Sequence, residues 1–416
     1  MTRRSLLLLL LLPFLVFRAA EARAQTQEPA LLLISIDGFR ADYLSRGYSP
    51  VLEGLARRGV RAEAMRPSFP SVTFPNHYTL VTGLRPDRHG MVDNVMRDAR
   101  RPGVTYSMSN RSETNDRFWW DDGEPIWVTA EKAGVRTATL FWPGSESDIH
   151  GVRPTTWLTF DKTLSPERRV ERLLEWMGRP KEQQARFMTL YFDDVDTAGH
   201  QFGPDSPEVN AAIKRVDSSI GQLTRGIEAL GRPVDLVIVS DHGMAATSPD
   251  RVIEIESLVP PGSFELVSQG AGAGLVPLPG REAEVLASVS APHPHVACWP
   301  KARIPEHLHY GTHPRVPPVV CLPDAGWLLL SRETLARRPV RAGGAHGYDP
   351  AAPEMATLFM ASGPSFRQGV ILPAFDNVHL YPLLARLIGI KPLPSDGKAE
   401  VLSGALAPGA LKPGGS

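Results

Sequence analysis

The sequence predicts an α/β fold built on a mostly parallel central sheet with helices on both faces. Two observations carry this. First, short apolar runs occur at 30–36, 187–192, 234–239 and 356–361, with a weaker one at 136–141. They lack the regular polar alternation of a half-solvated strand, which suits a sheet covered on both sides. Second, helical patterns lie between them, and a strand–helix–strand–helix order favours parallel pairing. The chain has 416 residues, 42% of them hydrophobic, enough for a large core. That length suggests two or three domains, but an α/β domain with insertions also reaches it.

The elements follow in order. Met1-Thr2-Arg3-Arg4 is a basic start, Ser5 to Phe17 is apolar, and Ala22-Arg23-Ala24 is a small-x-small site. This is the pattern of a secretory signal peptide over residues 1–24, cleaved before Gln25. Thr2-Arg3-Arg4 also fits a twin-arginine route. The apolar run is about a dozen residues, short of the ~20 that span a bilayer. The expectation is a periplasmic or secreted protein with no stable membrane anchor after cleavage.

A helix is expected over 48–58, with Val51, Leu52 and Leu55 on its apolar face. Another runs over 125–133, opening on Pro125 and stopping before Gly134. The long amphipathic stretch 207–230 ends at Gly231, and 377–387 is a further helix. Residues 245–344 differ: they are rich in Pro and Gly, with short alternating pieces at 263–267 and 327–330. They read as a cap inserted into one domain spanning 25–404. Residues 405–416 are mostly Ala, Pro and Gly, with little to bury, and are expected to form a flexible tail.

Lys+Arg and Asp+Glu both number 45, so bulk charge offers no grip on a polyanion and no nucleic-acid-binding surface is expected. Cys298 and Cys321 are the two cysteines. An oxidising compartment permits a disulfide between them, and two buried thiols fit equally well.

Polar clusters stand just past three of the strand runs: Asp37-Gly38, Asp196-Thr197-Ala198-Gly199-His200, and Asp241-His242-Gly243. Ligands of open parallel sheets bind beyond the carboxyl ends of the strands, so these clusters meet at one rim. Gly343-Gly344-Ala345-His346-Gly347 follows the insertion and can return there. Asp and His without Cys suit catalytic zinc or a similar divalent ion. Asp37, Asp241 and His242 supply three ligands to one ion, and Asp196, His200 and His346 supply three to another, with Asp196 and His200 expected on a loop bent at Gly199. Each ion keeps an open position. Thr73 lies at the start of an expected helix, with Pro75 in its first turn and Gly83 at its end. The local sequence favours Thr73 as an N-cap. A metal would make its hydroxyl a nucleophile instead.

These residues sit in an ordered series of motifs. The most specific is Thr73-Phe74-Pro75-Asn76-His77, continuing through Val81-Thr82-Gly83-Leu84 and Asp93-Asn94. Further pieces are Gly123-Glu124-Pro125-Ile126-Trp127, Ser240-Asp241-His242-Gly243-Met244 and Gly344-x-His346-Gly347-Tyr348-Asp349. Through them the chain resembles the nucleotide pyrophosphatase/phosphodiesterase family of the alkaline phosphatase superfamily. The resemblance implies an alkaline-phosphatase-like fold and a hydrolase of nucleotide phosphodiester or pyrophosphate bonds with two zinc ions, which the signal peptide would export. It implies Thr73 as nucleophile and ligand to the first zinc, forming a phosphothreonine. It also implies Asn76 as amide donor to a phosphate oxygen, and Phe74 and Phe160 as the aromatic residues around a base.

Rival readings remain in view. A sulfatase needs a Cys/Ser-x-Pro-x-Arg motif where Thr73 stands. A phosphomonoesterase or phosphonate hydrolase of the same superfamily, and a choline-type lipid-headgroup phosphodiesterase, share the metal set. An exported binding protein without turnover would also keep it.

Overall fold

The computed structural model describes residues 28–411. The expected signal peptide lies outside the described residues. Eight strands form the central sheet: β1 (Ala30–Ile36), β2 (Val60–Ala62), β3 (Thr137–Leu140), β4 (Thr156–Leu158), β5 (Phe187–Phe192), β6 (Val234–Val239), β7 (Phe359–Ser362) and β8 (Val370–Leu372). Their order is β8-β2-β7-β6-β1-β5-β3-β4. All neighbours pair in parallel except β7, which runs antiparallel to both β2 and β6.

β1 is the centre, and its sequence shows why. Every residue of Ala30–Ile36 is buried. Leu31 and Leu33 enter one core with Leu80, Val81, Leu380 and Leu383, whereas Leu32, Ile34 and Ile36 enter another with Leu52, Leu173 and Ile213. Alternate side chains of a strand point to opposite faces, so an unbroken apolar run marks a strand with a core on each side.

The long helix Pro207–Leu230 shows how the sequence sets its bounds. The Ser206 hydroxyl accepts from the Val209 N–H, Pro207 opens the helix, and Gly231 ends it at φ 61°. Val209, Ile213, Val216, Ile220, Leu223 and Ile227 line its buried stripe at spacings of three and four. The helix Pro50–Arg58 is capped from a distance: Ser49 makes no side-chain cap, and Asp217 of the long helix accepts from the Val51 and Leu52 N–H groups at 3.1 and 2.8 Å.

Between 245 and 345 the chain leaves the central sheet. Ala245–Thr247 pairs antiparallel with Gly343–Ala345, closing the excursion at its neck. Within it Phe264–Ser268, Ala273–Pro277, Val319–Pro323 and Val296–Pro300 form an antiparallel sheet in that order. Cys298 and Cys321 face each other in this sheet and form a disulfide, which decides between the two alternatives left open above.

Two expectations are corrected. The strand expected over 356–361 starts later, at Phe359, because Thr357 is engaged by Met65 through two backbone bonds of 2.9 Å. Residues 405–411 do not form the expected free tail. Ala405 is buried, the Ala407 N–H donates to the Ser365 carbonyl at 2.9 Å, and Leu411 packs on the core. Among the described residues no helix is long and apolar enough to cross a membrane.

Asp217→Ala leaves the buried Leu52 N–H and the half-buried Val51 N–H of the Pro50–Arg58 helix without an acceptor. The expected result is a loss of about 1–3 kcal/mol in urea unfolding, with turnover of the folded protein unchanged.

Candidate metal centre and active site

β6, β1 and β5 are adjacent and parallel, and their carboxyl ends deliver Asp241-His242, Asp37 and the Asp193–Asp196 segment to one rim. His346 arrives there from the neck of the insertion. Two groups of ligand atoms result, Asp37–Asp241–His242 and Asp196–His200–His346, each with its atoms within 4.8 Å of one another.

Within the first group His242 Nε2 lies 3.3 Å from Asp37 Oδ1 and 3.0 Å from Asp241 Oδ2. Within the second, Asp196 Oδ1 lies 3.4 Å from His200 Nε2 and 3.6 Å from His346 Nε2. The groups share a wall, since the His242 and His346 rings stack at 3.4 Å and 8°.

Asp196 and His200 are not on a loop. They stand one turn apart on the helix Asp194–Phe202, so their side chains share a face. Gly199 does not bend this backbone. A Cβ there would meet the Met244 side chain at 2.9 Å, so the glycine makes room for the residue that follows the Asp241-His242 turn.

The donor chemistry fits a divalent cation. Asp37 Oδ1, Asp196 Oδ1 and Asp241 Oδ2 are buried without a hydrogen-bond partner. Each histidine engages a backbone carbonyl through Nδ1: His200 with Gly344 at 2.9 Å, His242 with Gly243 at 3.0 Å, and His346 with Ser71 at 3.0 Å. A carbonyl only accepts, so Nδ1 carries the proton and the Nε2 lone pairs face the carboxylates. The His200 and His346 Nε2 atoms lie 3.1 Å apart, close enough for both lone pairs to turn toward one cation.

Burial is the largest influence on all three acids. It pushes Asp37 well above the usual carboxylate range, with the Asp241 and Asp196 charges adding to the rise. It also raises Asp196, against the pull of His200 and His242. For Asp241 burial is outweighed by His242 and His77, which hold it well below that range. Burial together with His242 and His200 keeps His346 low, and hence neutral, as a ligand must be.

Thr73 is the first residue of the helix Thr73–Thr82, and the N-cap is Val72. The hydroxyl of Thr73 is therefore not spent on capping. It lies 3.1 Å from His242 Nε2, at the edge of the first group, with the residue 6% exposed.

Asn76 does not take the role expected of it. It is fully buried, and its Nδ2 donates to the carbonyls of Ser68, Pro70 and Val72. Its Oδ1 accepts from the Ser68 N–H and from Asn377. No donor is left for a phosphate, so Asn76 fixes the loop that leads into Thr73. A different asparagine stands beside Thr73: Asn94 Oδ1 accepts from the Phe74 N–H at 2.9 Å, which leaves its Nδ2 as a donor. Asn94 and Thr73 line one cavity of about 640 Å³, with the cap segment Ser268 to Gly274 opposite.

Phe74 is half-buried beside Tyr106 and Trp120, with ring centroids 6.5 and 5.9 Å away. Phe160, also half-buried, packs edge-on against Phe141 and Tyr191. Two further residues support the acids. Tyr191 donates its hydroxyl to Asp37 Oδ2 at 2.6 Å. His77 lies between the Thr73 carbonyl and Asp241 Oδ2, with Ser35 on its other nitrogen. His77 was readable in part, because it stands four residues after Thr73 on the same helical face. Tyr191 was not, since it sits inside an apolar strand run.

The model of the family described as type I phosphodiesterase / nucleotide pyrophosphatase matches residues 31–349. An uncharacterized pyrophosphatase/phosphodiesterase of Schizosaccharomyces pombe is 40% identical, covering 90% of this chain and 79% of its own. A bis(5'-adenosyl)-triphosphatase of Xenopus laevis is 34% identical over 91% and 81% of the two chains. Among solved structures, murine ectonucleotide pyrophosphatase/phosphodiesterase 5, as an inactive threonine-to-alanine variant in complex with AMP, is 33% identical with a TM-score of 0.86. It covers 91% of this chain and 100% of its own. The central sheet, the rim of Asp and His, and these matches agree: the chain has the alkaline-phosphatase-like fold, belongs to the type I phosphodiesterase/nucleotide pyrophosphatase family, and is a hydrolase of phosphodiester bonds.

Proposed function

We propose that this hydrolase works outside the cytoplasm on small nucleotide diesters or pyrophosphates, with Thr73 as the nucleophile and two zinc ions as cofactors. The observation that carries the reading is the Thr73 hydroxyl 3.1 Å from His242, at the edge of the first of two Asp/His groups that share a wall. The murine relative supports it, being inactive when a threonine becomes alanine and holding AMP in that form. Export is supported by the signal-like start and by a disulfide, which persists in an oxidising compartment.

Asp37, Asp241, His242 and Thr73 would hold one ion, and Asp196, His200 and His346 the other. Nitrogen and oxygen ligands suit zinc, and other divalent ions as well. When bound, the ions supply Lewis acidity toward the threonine hydroxyl, the phosphoryl oxygens and the leaving oxygen.

The chain's own groups do the rest. Thr73 Oγ1 gives up its proton to water and bonds to phosphorus as the leaving-group oxygen departs with the bonding electron pair and takes up a proton from water. Water then cleaves the phosphothreonine, returning the threonine hydroxyl and releasing a phosphate monoester. Asn94, in place of Asn76, is the amide donor for a non-bridging oxygen, where developing charge is met by a fixed dipole. Tyr191 and His77 hold Asp37 and Asp241 in place. Phe74 and Phe160 provide the apolar surfaces for the base.

Thr73→Ala should lower turnover of an aryl nucleotide diester by roughly a thousandfold or more while metal content stays the same. Turnover within tenfold of the wild type would remove Thr73 from the role.

His346→Ala should cost one of the two ions by elemental analysis, since the neck of the insertion supplies the last ligand of the second group. An unchanged metal content would assign that ion to other residues. In a kinetic panel the nucleotide diester should outrun an aryl phosphate monoester and lysophosphatidylcholine. Preference for the monoester would replace the diesterase reading, and preference for the lipid would replace the nucleotide.

A further inference from the structure

Arg169 lies on the helix Pro166–Met177 and is 1% exposed. A guanidinium stays charged in a protein interior, so burying one is costly unless its donors are matched. Nε and Nη1 are matched by groups beside the Phe160 segment. Nε donates to the Leu164 carbonyl at 2.8 Å, in the segment that carries Phe160. Nη1 donates to the Tyr191 carbonyl at 2.9 Å, and the Tyr191 hydroxyl holds Asp37. The same nitrogen lies 2.8 Å from Asp193 Oδ1, and Asp193 is the N-cap of the helix bearing Asp196 and His200. The guanidinium carbon stands 5.2 Å from the Phe141 ring centroid and 5.8 Å from that of Phe160.

We propose that Arg169 is a positioning residue that sets the Phe160 ring against the two metal groups and thereby governs affinity for the base of a nucleotide substrate. The Phe160 segment lies between β4 and the Pro166–Met177 helix, outside any strand or helix. Side-chain tethers therefore set its place. Glu146 accepts from the Phe160 N–H at 2.7 Å, Arg111 donates to the Phe160 carbonyl at 2.9 Å, and Arg169 fixes Leu164 and lies by the ring. A planar fork can serve a carbonyl on each side and an aromatic face at once; a lysine ammonium cannot. An apolar side chain would fill the same core at less cost, which argues that the charge is kept for geometry.

The inference rests on Phe160 flanking the base. Its test compares Arg169→Lys with the wild type on two diesters sharing one aryl leaving group, an aryl ester of adenosine monophosphate and methyl aryl phosphate. KM for the nucleotide should rise about tenfold with kcat within twofold, and the methyl diester should be unaffected. In a Phe160→Leu background the same substitution should add nothing further. Equal losses on both diesters would reduce Arg169 to a structural role, and unchanged kinetics on the nucleotide would remove the role altogether. Asp193→Asn withdraws the guanidinium's partner at a partly exposed position. It should raise KM selectively in the same direction, and its failure to do so would also overturn the inference. Affinity for AMP is measured alongside by calorimetry on the metal-loaded protein. A wild-type protein that cleaves neither diester yet binds AMP more tightly than Arg169→Lys would sink the reaction and keep the positioning role. Equal affinity would sink the positioning role alone.

Discussion

Three carboxylates held together in a dry place are the constraint on which the rest of this structure depends. Asp37, Asp196 and Asp241 each present an oxygen that no protein donor meets. An uncompensated buried charge costs several kcal/mol, and like charges nearby add to the cost. No lysine or arginine is among the described residues of the two groups; their other members are histidines and Thr73. A divalent cation held by the two groups would compensate the charge that His242 and His77 do not. The parallel sheet is what makes this gathering possible. β1 lies between β5 and β6 in one direction, so three successive strand ends open on the same rim. The histidines conform to the same demand, each giving its Nδ1 proton to the backbone so that Nε2 is left for the metal.

The fold and the acidic rim were legible because both are written locally. An unbroken apolar run ending in Asp-Gly or Asp-His states the strand, its double burial and its terminal ligand within a few residues. What was not legible depends on contacts far apart in sequence. The Asp196-to-His200 segment read as a loop because its glycine suggested a bend, whereas the glycine answers to Met244 packing from another element. Thr73 read as an N-cap because nothing nearby showed that the helix starts one residue earlier, with Val72 as its cap. Asn76 and Asn94 could not be told apart by type. Only the fold shows that one is consumed by the Ser68–Val72 loop and the other stands beside Thr73. Residues 405–411 were judged on composition, and Ala407 is held by a backbone bond to Ser365 that composition does not reveal.

The inserted segment divides labour with the sheet. Its neck delivers His346 to the rim, and its own small sheet stands over the cavity with the Ser268-to-Gly274 wall. Chemistry is thus placed on strand ends and helix starts, which tertiary packing fixes on both faces. In the proposed reading, selectivity falls to the excursion between 245 and 345 and to the loop around Phe160, which side-chain bonds from Glu146 and Arg111 tether. Such a division lets one metal rim serve different substrates by changes in segments the core does not depend on.

The Thr73–Thr82 helix joins these layers. Asn76 pins it to the preceding loop and to Asn377, and His77 reaches Asp241 and Ser35 from the same turn. Trp142 donates to the His77 carbonyl from the segment after β3. A hydroxyl at the head of a helix fixed by three separate elements has little freedom of its own. In the proposed reaction the entropy of aligning Thr73 is thus met during folding rather than at each turnover. In that sense Asn76 belongs to the same device as Thr73: the asparagine holds still the helix start that carries the proposed nucleophile.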